Sequence, residues 1–317
     1  MEHKADLSII ENIKNNIRKV IIGQEDNITL LLTAMLAKGH ILLEDTPGTG
    51  KTMLAKALAA SIKGEYKRIQ FTPDLLPSDV TGINIYNQKT QEFQYIPGPV
   101  FANVLLADEI NRATPRTQSC LLEAMAERQV TTDGVTRSLP ELFFLIATEN
   151  PMETIGTFPL PEAQIDRFDL KISLGFPSPE EELAIMNRFI QEDPITNLDA
   201  VCTPEDIVAL QDTTTSVFLH EELKQYIVQI IHATRHHEEI ALGINPRGTL
   251  SLMRLSQAYA LLNGRNYVVP EDIKHLVKPC LGHRLLSFHA TTGQTMGRSI
   301  LDNIMSTIPV PTENFQP

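Results

Sequence analysis

The chain has 317 residues, 42% hydrophobic and 21% charged, a globular composition that excludes extended disorder and is long enough for about two domains. A net charge of −12 excludes a domain-wide basic field for nucleic acid or an anionic membrane, while leaving room for a local basic groove. Cys120, Cys202 and Cys280 are too scattered for a disulfide framework or a C-x-x-C site, the first six residues lack the order of a signal peptide, and no apolar run has the length of a membrane span; the expectation is a soluble cytoplasmic protein with no membrane insertion.

Apolar residues at Leu7, Ile9, Ile10, Ile13, Ile17 and Val20 keep helical spacing and predict a helix over 7–20. Ile21, Ile22, Gly23 and Gln24 interrupt it, and a second helix is expected over 25–36, ended by Lys38-Gly39. The apolar run 40–43 reads as a buried strand. It leads into Glu44-Asp45-Thr46-Pro47-Gly48-Thr49-Gly50-Lys51-Thr52 and a helical pattern that starts at Met53. Strand, glycine loop and helix start in that order form a phosphate cradle, because successive backbone N–H groups and the helix dipole converge. Gly48 and Gly50 admit close approach of the backbone, Lys51 reaches the β- and γ-phosphates, and the Thr52 hydroxyl is placed for Mg²⁺. The bland alternative is a Gly/Pro turn; the flanking strand and helix weigh against it. Asp45 stands where the motif asks for glycine, so the loop must begin without a backbone conformation reserved for glycine.

Residues 66–71 read as a strand, completing a strand, helix, strand unit and predicting a parallel sheet. Alternation over 81–86 and 92–96 around 87–90 predicts a hairpin whose Tyr86, Phe93 and Tyr95 pack locally. The strand at 104–107 ends in Asp108-Glu109, two acids at the ligand end of an open α/β sheet: the first suits Mg²⁺, the second a water aimed at the γ-phosphate. A helix over 117–128 and a second hairpin at 129–132 and 135–137, turning at Asp133-Gly134, precede the buried strand 142–148. That strand delivers Asn150, whose amide suits orientation of the attacking water, an Asn-Pro turn being the alternative. After a last strand at 170–174, the break at 175–179 is the expected boundary between a core at 1–175 and a second domain at 176–317. Helices are expected there at 179–190, 203–213, 220–238, 246–262 and 270–277, with Thr203-Pro204-Glu205-Asp206 and Val269-Pro270-Glu271-Asp272 as helix starts. His232, His236, His237 and Glu238 do not follow the H-E-x-x-H order, and no metal is assigned to them.

With the glycine loop, Asp108-Glu109, Asn150, Arg167 and a helical second half in this order, the chain resembles the AAA+ ATPases and, more narrowly, the MoxR family. The resemblance also rests on Ile22-Gly23-Gln24, Gly98-Pro99-Val100-Phe101, Glu109-Ile110-Asn111-Arg112, Leu121-Leu122-Glu123-Ala124-Met125, Leu160-Pro161-Glu162-Ala163-Gln164 with Asp166-Arg167-Phe168, and Pro246-Arg247. It implies an α/β P-loop core with a mostly parallel sheet and β-hairpin inserts, followed by a smaller all-helical lid. It also implies ATP and Mg²⁺ as cofactors. Ile22, Gly23, Thr46, Pro47, Gly48, Thr49, Gly50, Lys51, Thr52 and Met53 would hold the nucleotide, and Thr52 and Asp108 the metal. Glu109, Asn150 as sensor 1, Arg167 as arginine finger and Arg247 as sensor 2 would carry the chemistry. The family further implies a ring, expected to be a hexamer, that remodels or matures partner proteins, among them proteins with a von Willebrand factor A domain.

Two positions depart from the family pattern: Asp45, expected to repel nucleotide phosphates, and Glu149, an acid beside Asn150. Arg167 has two readings, an ion pair to Asp166 or Asp169 in its own chain, or a finger for a neighbour's γ-phosphate; the resemblance favours the second. A nucleic-acid motor or loader on the same fold is the rival function, disfavoured by the net charge. A module using ATP only as assembly glue is disfavoured by Glu109 and Asn150.

Overall fold

The computed structural model describes residues 7–46, 48–151, 156–190, 194–288, 295–312 and 314–316. In chain order the elements are α1 (Ser8–Val20), α2 (Glu25–Leu36), β1 (Ile41–Glu44), α3 (Lys51–Ser61), β2 (Tyr66–Gln70), α4 (Pro77–Thr81), β3 (Gly82–Asn87), β4 (Glu92–Pro97), β5 (Val104–Asp108), α5 (Pro115–Glu127), β6 (Gln129–Thr132), β7 (Val135–Ser138), β8 (Phe144–Glu149), α6 (Glu162–Ile165) and β9 (Leu170–Ile172). Helices α7 (Pro179–Phe189), α8 (Pro204–Thr214) and α9 (Glu221–Arg235) follow. A short strand β10 (Ile240–Leu242), α10 (Pro246–Leu262), α11 (Pro270–Leu281), β11 (Leu286–Ser287) and α12 (Thr295–Thr307) complete the chain.

The five-stranded sheet has the order β2-β5-β8-β1-β9, and all four of its pairings are parallel. Its inner strands are apolar runs because helices cover both faces. Successive side chains point to opposite faces. Ile41, Leu43, Val104, Leu106, Phe144 and Ile146 join the cluster that contains α1, α2 and α3. Leu42, Leu105, Ala107, Leu145 and Ala147 face α5 and Phe168. The first cluster continues without a break into the later helices through Ile207, Leu252, Ile273 and Leu301.

Parallel pairing brings like ends of the strands together. The carboxyl ends of the strands, at Glu44, Asp108 and Glu149, share one end of the sheet, and the amino ends, at Ile41, Val104 and Leu170, share the other.

Both expected hairpins form, with registers Tyr86↔Phe93 and Thr132↔Val135. Tyr86 meets Phe93 edge-on at 5.4 Å, while Tyr95 packs on Phe101 and lies under Arg137, 3.7 Å from the ring centroid. Asn84 donates to Asp133 at 2.5 Å, joining the two hairpins. Helix starts follow the expected chemistry: Thr203 and Asp206 form a reciprocal cap at α8, and Ser178 and Glu181 do so at α7. The second half differs from expectation in detail. Helix α9 stops at Arg235 and is followed by β10, paired antiparallel with β11. Helix α11 runs through Pro279 to Leu281, since a proline in the last turn costs one backbone bond and the helix is packed on β9. Helix α12 had not been expected from the sequence.

Candidate active site

The loop after β1 does what its glycines require. Gly48 and Gly50 have φ of +88° and +92°, a region closed to most side chains, with open space where a Cβ would stand. Gly50 caps α3 without any side-chain acceptor for the helix's first N–H groups. Those donors, the glycine cradle and the buried Lys51 fit a polyphosphate. Lys51 Nζ donates to the Asp45 carbonyl at 2.8 Å. Burial pulls the Lys51 pKa down, opposed by Asp45, Asp108 and Glu109. Thr49 Oγ1 donates to the Thr46 carbonyl at 3.3 Å. Pro47 lies outside the described residues.

Asp45 is not among the residues with positive φ, which is why the loop can start without glycine. Its carboxylate accepts from Ser173 Oγ at 2.8 Å, Leu174 N at 2.6 Å and Gly175 N at 3.2 Å. The charge expected to repel phosphates is therefore engaged by three donors just beyond β9.

Asp108 and Glu109 stand at the carboxyl end of β5. Thr148 Oγ1 donates to Asp108 Oδ1 at 2.6 Å and accepts the Glu109 N–H at 2.8 Å, so one hydroxyl at the end of β8 orients both acids. The other Asp108 oxygen receives Arg68 at 2.6 Å. Glu109 has φ +55°, a left-handed conformation that aims its side chain away from the strand. Gln70 Nε2 donates to Glu109 Oε2 at 2.7 Å, and Arg112 reaches the same oxygen at 3.2 Å. Arg68, Gln70, Asp108, Glu109 and Arg112 line one cleft of about 620 Å³ with Gly48, Gly50, Lys51, Thr52 and Met53. The hydroxyl of Thr52 and the carboxylate of Asp108 are hard oxygen donors that suit Mg²⁺. Asn150 is buried one residue beyond β8, and Asn111 Nδ2 donates to its carbonyl at 3.4 Å. Beside it, burial raises the Glu149 pKa, offset by Lys171 and reinforced by Glu44, itself paired to Lys171 at 2.9 Å.

Arg167 and Arg247 are elsewhere. They line two clefts together, of about 670 and 440 Å³, neither of which contains a glycine-loop residue. Arg167 donates to the Leu122 carbonyl at 2.7 Å and makes no ion pair among the described residues. Neither ion pair named as the intrachain alternative is present among the described residues, and both candidate carboxylates have other partners. Asp166 takes Arg284 at 3.0 Å and Arg247 at 3.6 Å, while Asp169 takes His40 N at 3.1 Å and Ser251 Oγ at 2.7 Å. Asp169 N bonds the His40 carbonyl, placing Arg167 beyond the amino end of the sheet. Strand β1, four residues long, puts on the order of 13 Å between that end and the glycine loop.

Ile22 and Gly23 do not line the 620 Å³ cleft. Gly23 has φ +73°, the Glu181 carboxylate fills the space a Cβ would need, and the adjoining Gln24 donates to the Leu174 carbonyl at 3.0 Å. Arg68, Gln70, Arg112 and Thr148 had been given no role from the sequence. The only available signal was the two-residue spacing of Arg68 and Gln70 on β2, which puts both on one face.

The description "ATPase family associated with various cellular activities (AAA)" matches residues 40–170, and "AAA lid domain" matches residues 232–304. The protein YeaC of Bacillus subtilis is 49% identical over 315 residues, 99% of this chain and 98% of its own. Chaperone MoxR1 of Mycobacterium tuberculosis is 38% identical over 323 residues, 99% of this chain and 85% of its own. A crystal structure of a presumed ATPase from Cytophaga hutchinsonii is similar with a TM-score of 0.88 and 37% identity, covering 96% of each chain.

Proposed function

The chain belongs to the MoxR family of AAA+ ATPases, and from that premise we propose that it hydrolyses ATP at a site shared between neighbouring copies of itself. The assembly is a ring, hexameric by family resemblance, and the hydrolysis remodels or matures partner proteins, including ones that carry a von Willebrand factor A domain. The division of labour within the chain is a nucleotide core at 1–175 and a lid at 176–317.

One observation carries the reading: the glycine loop and Asp108-Glu109 lie at the carboxyl end of a parallel sheet, whereas Arg167 and Arg247 lie at its amino end. Two guanidiniums that line shared clefts on the far side of the fold, Arg247 with its side chain 51% exposed and Arg167 half-buried, suit a phosphate held by another copy. Within one copy, Lys51 and the first N–H groups of α3 bind the phosphates. Thr52 and Asp108 would hold Mg²⁺, which would supply neutralisation of phosphate charge. Glu109, fixed by Gln70 and by Thr148, accepts the proton of the attacking water. Asn150 orients that water, and Arg167 and Arg247 of the adjacent copy stabilise the charge that develops on the γ-phosphate.

Glu109→Gln should keep ATP and Mg²⁺ binding yet release phosphate on the order of a hundredfold more slowly. Lys51→Ala should lose nucleotide binding, measured by fluorescence of a labelled ATP. Unchanged turnover in the first variant, or unchanged affinity in the second, contradicts the assignment.

A further inference from the structure

The segment that carries Arg167 is gripped by one buried side chain from the lid. Arg284, 2% exposed in its side chain, donates through Nε to Asp166 Oδ1 at 3.0 Å and through NH2 to the carbonyls of Asp166 at 3.1 Å and Phe168 at 2.9 Å. Its remaining nitrogen donates to the Cys280 carbonyl at the end of α11, at 2.8 Å. The two carbonyls on either side of Arg167 are thus fixed to the lid by one planar fork, a geometry that lysine cannot reproduce. His283, kept neutral by burial, adds a second bond to Phe168 O at 3.0 Å.

The other carboxylate oxygen of Asp166 faces α10. Asn245, the cap of that helix, accepts Gly248 N at 3.0 Å and donates through Nδ2 to Asp166 Oδ2 at 2.9 Å. Arg247, in the first turn of the same helix, stands 3.6 Å from the same oxygen with its side chain 51% exposed. A loose, solvated pair of this kind contributes little to stability. What it does is aim a long side chain, and it places a negative charge beside two guanidiniums that share a cleft and otherwise repel.

We propose that Asp166, held by Arg284, is a positioning residue that sets the Arg247 guanidinium beside Arg167, so that the two cations meet a neighbour's γ-phosphate as one unit. This rests on the shared-site reading above. A misplacement of about 1 Å in a charge-stabilising group can slow turnover up to a hundredfold, so Asp166→Asn, which keeps the shape and removes the charge, should lower kcat about tenfold with little change in KM. Because Asp166 acts through Arg247, the double variant Asp166→Asn/Arg247→Ala should be no slower than Arg247→Ala alone.

The test measures steady-state ATP hydrolysis of the full chain for both single variants and the double variant, with thermal unfolding and assembly state followed in parallel. Asn245→Ser retains a capping oxygen and removes only the donor to Asp166. It should give the same pattern at about threefold, and it replaces Asp166→Asn in the cycle if that variant does not fold. Additive losses, or wild-type kcat in Asp166→Asn while Arg247→Ala is slow, overturn the positioning role and leave the shared site standing. Wild-type kcat in assembled Arg167→Ala and Arg247→Ala overturns the shared site itself.

Discussion

Asp45 shows how a residue that looks like a defect in a motif is a structural fixture of it. Its three acceptor contacts join the start of the glycine loop to residues 173–175. Asp45→Gly, which restores the motif, should therefore destabilise the chain by about 1–3 kcal/mol, since buried donors lose their partner. Urea unfolding measures this, with ATP affinity expected to change by less than about threefold because three donors hold the carboxylate beyond β9. Equal stability together with tenfold tighter ATP binding would mean that repulsion, not anchorage, is the role of Asp45. The contacts were not legible in the sequence because the partners lie 128–130 residues away. That Lys51, Thr52, Asp108 and Glu109 gather at one cleft was legible for the opposite reason: each sits at a fixed offset from a local strand or helix start. The contacts that matter for Arg284 and Arg68, to Asp166 and Asp108, span 118 and 40 residues, and the local spacing of Arg68 and Gln70 on β2 gives a shared face without naming the acid it meets.

A histidine side chain adds one bond to the pairing of β1 with β8, just before β1 begins. His40 Nδ1 accepts the Leu145 N–H at 3.1 Å, between the rings of Phe143 and Phe144 at 5.5 and 6.5 Å. Burial pushes its pKa down to about 3, below the value near 6.5 of an unfolded chain. The unfolded state then binds a proton that the native state does not, so the contribution is whole above about pH 6.5 and is lost as pH falls towards 3. From pH 6.5 to 4.5 one such histidine removes about 2–3 kcal/mol. The buried His283 acts in the same direction. Urea midpoints for wild type and His40→Gln at both pH values should show a shallower loss in the variant; parallel slopes would exclude His40 as the source. At this scale both hairpins and the long helices other than α12 were legible. The three-residue β10 and two-residue β11 are too short to display a period of two, and α9 was expected to run on to 238 because His236, His237 and Glu238 carry no breaker.

At the scale of the whole molecule the parallel sheet separates the glycine loop and its acids from the two guanidiniums that we propose serve a neighbouring copy. The cradle, its lysine and its acids open at the carboxyl ends of the strands, and the two guanidiniums open at the amino ends. The fold class was legible from alternating apolar runs and helical periods. That one apolar cluster runs from the sheet into α8 and α10–α12 was not, because sequence periodicity identifies a buried face without naming what covers it. Among the described residues no helix is long and apolar enough to cross a membrane. The central claim, that each active site takes its acids from one copy and its arginines from the next, is tested most directly by mixing two inactive chains. Arg167→Ala keeps an intact cradle, and Lys51→Ala keeps an intact finger. Phosphate release is measured for each alone and for the mixture, at concentrations where mass action favours assembly and with subunit exchange verified by labelled copies. The account predicts that the mixture regains activity that neither chain has alone; verified exchange with no gain over the separate variants would contradict it.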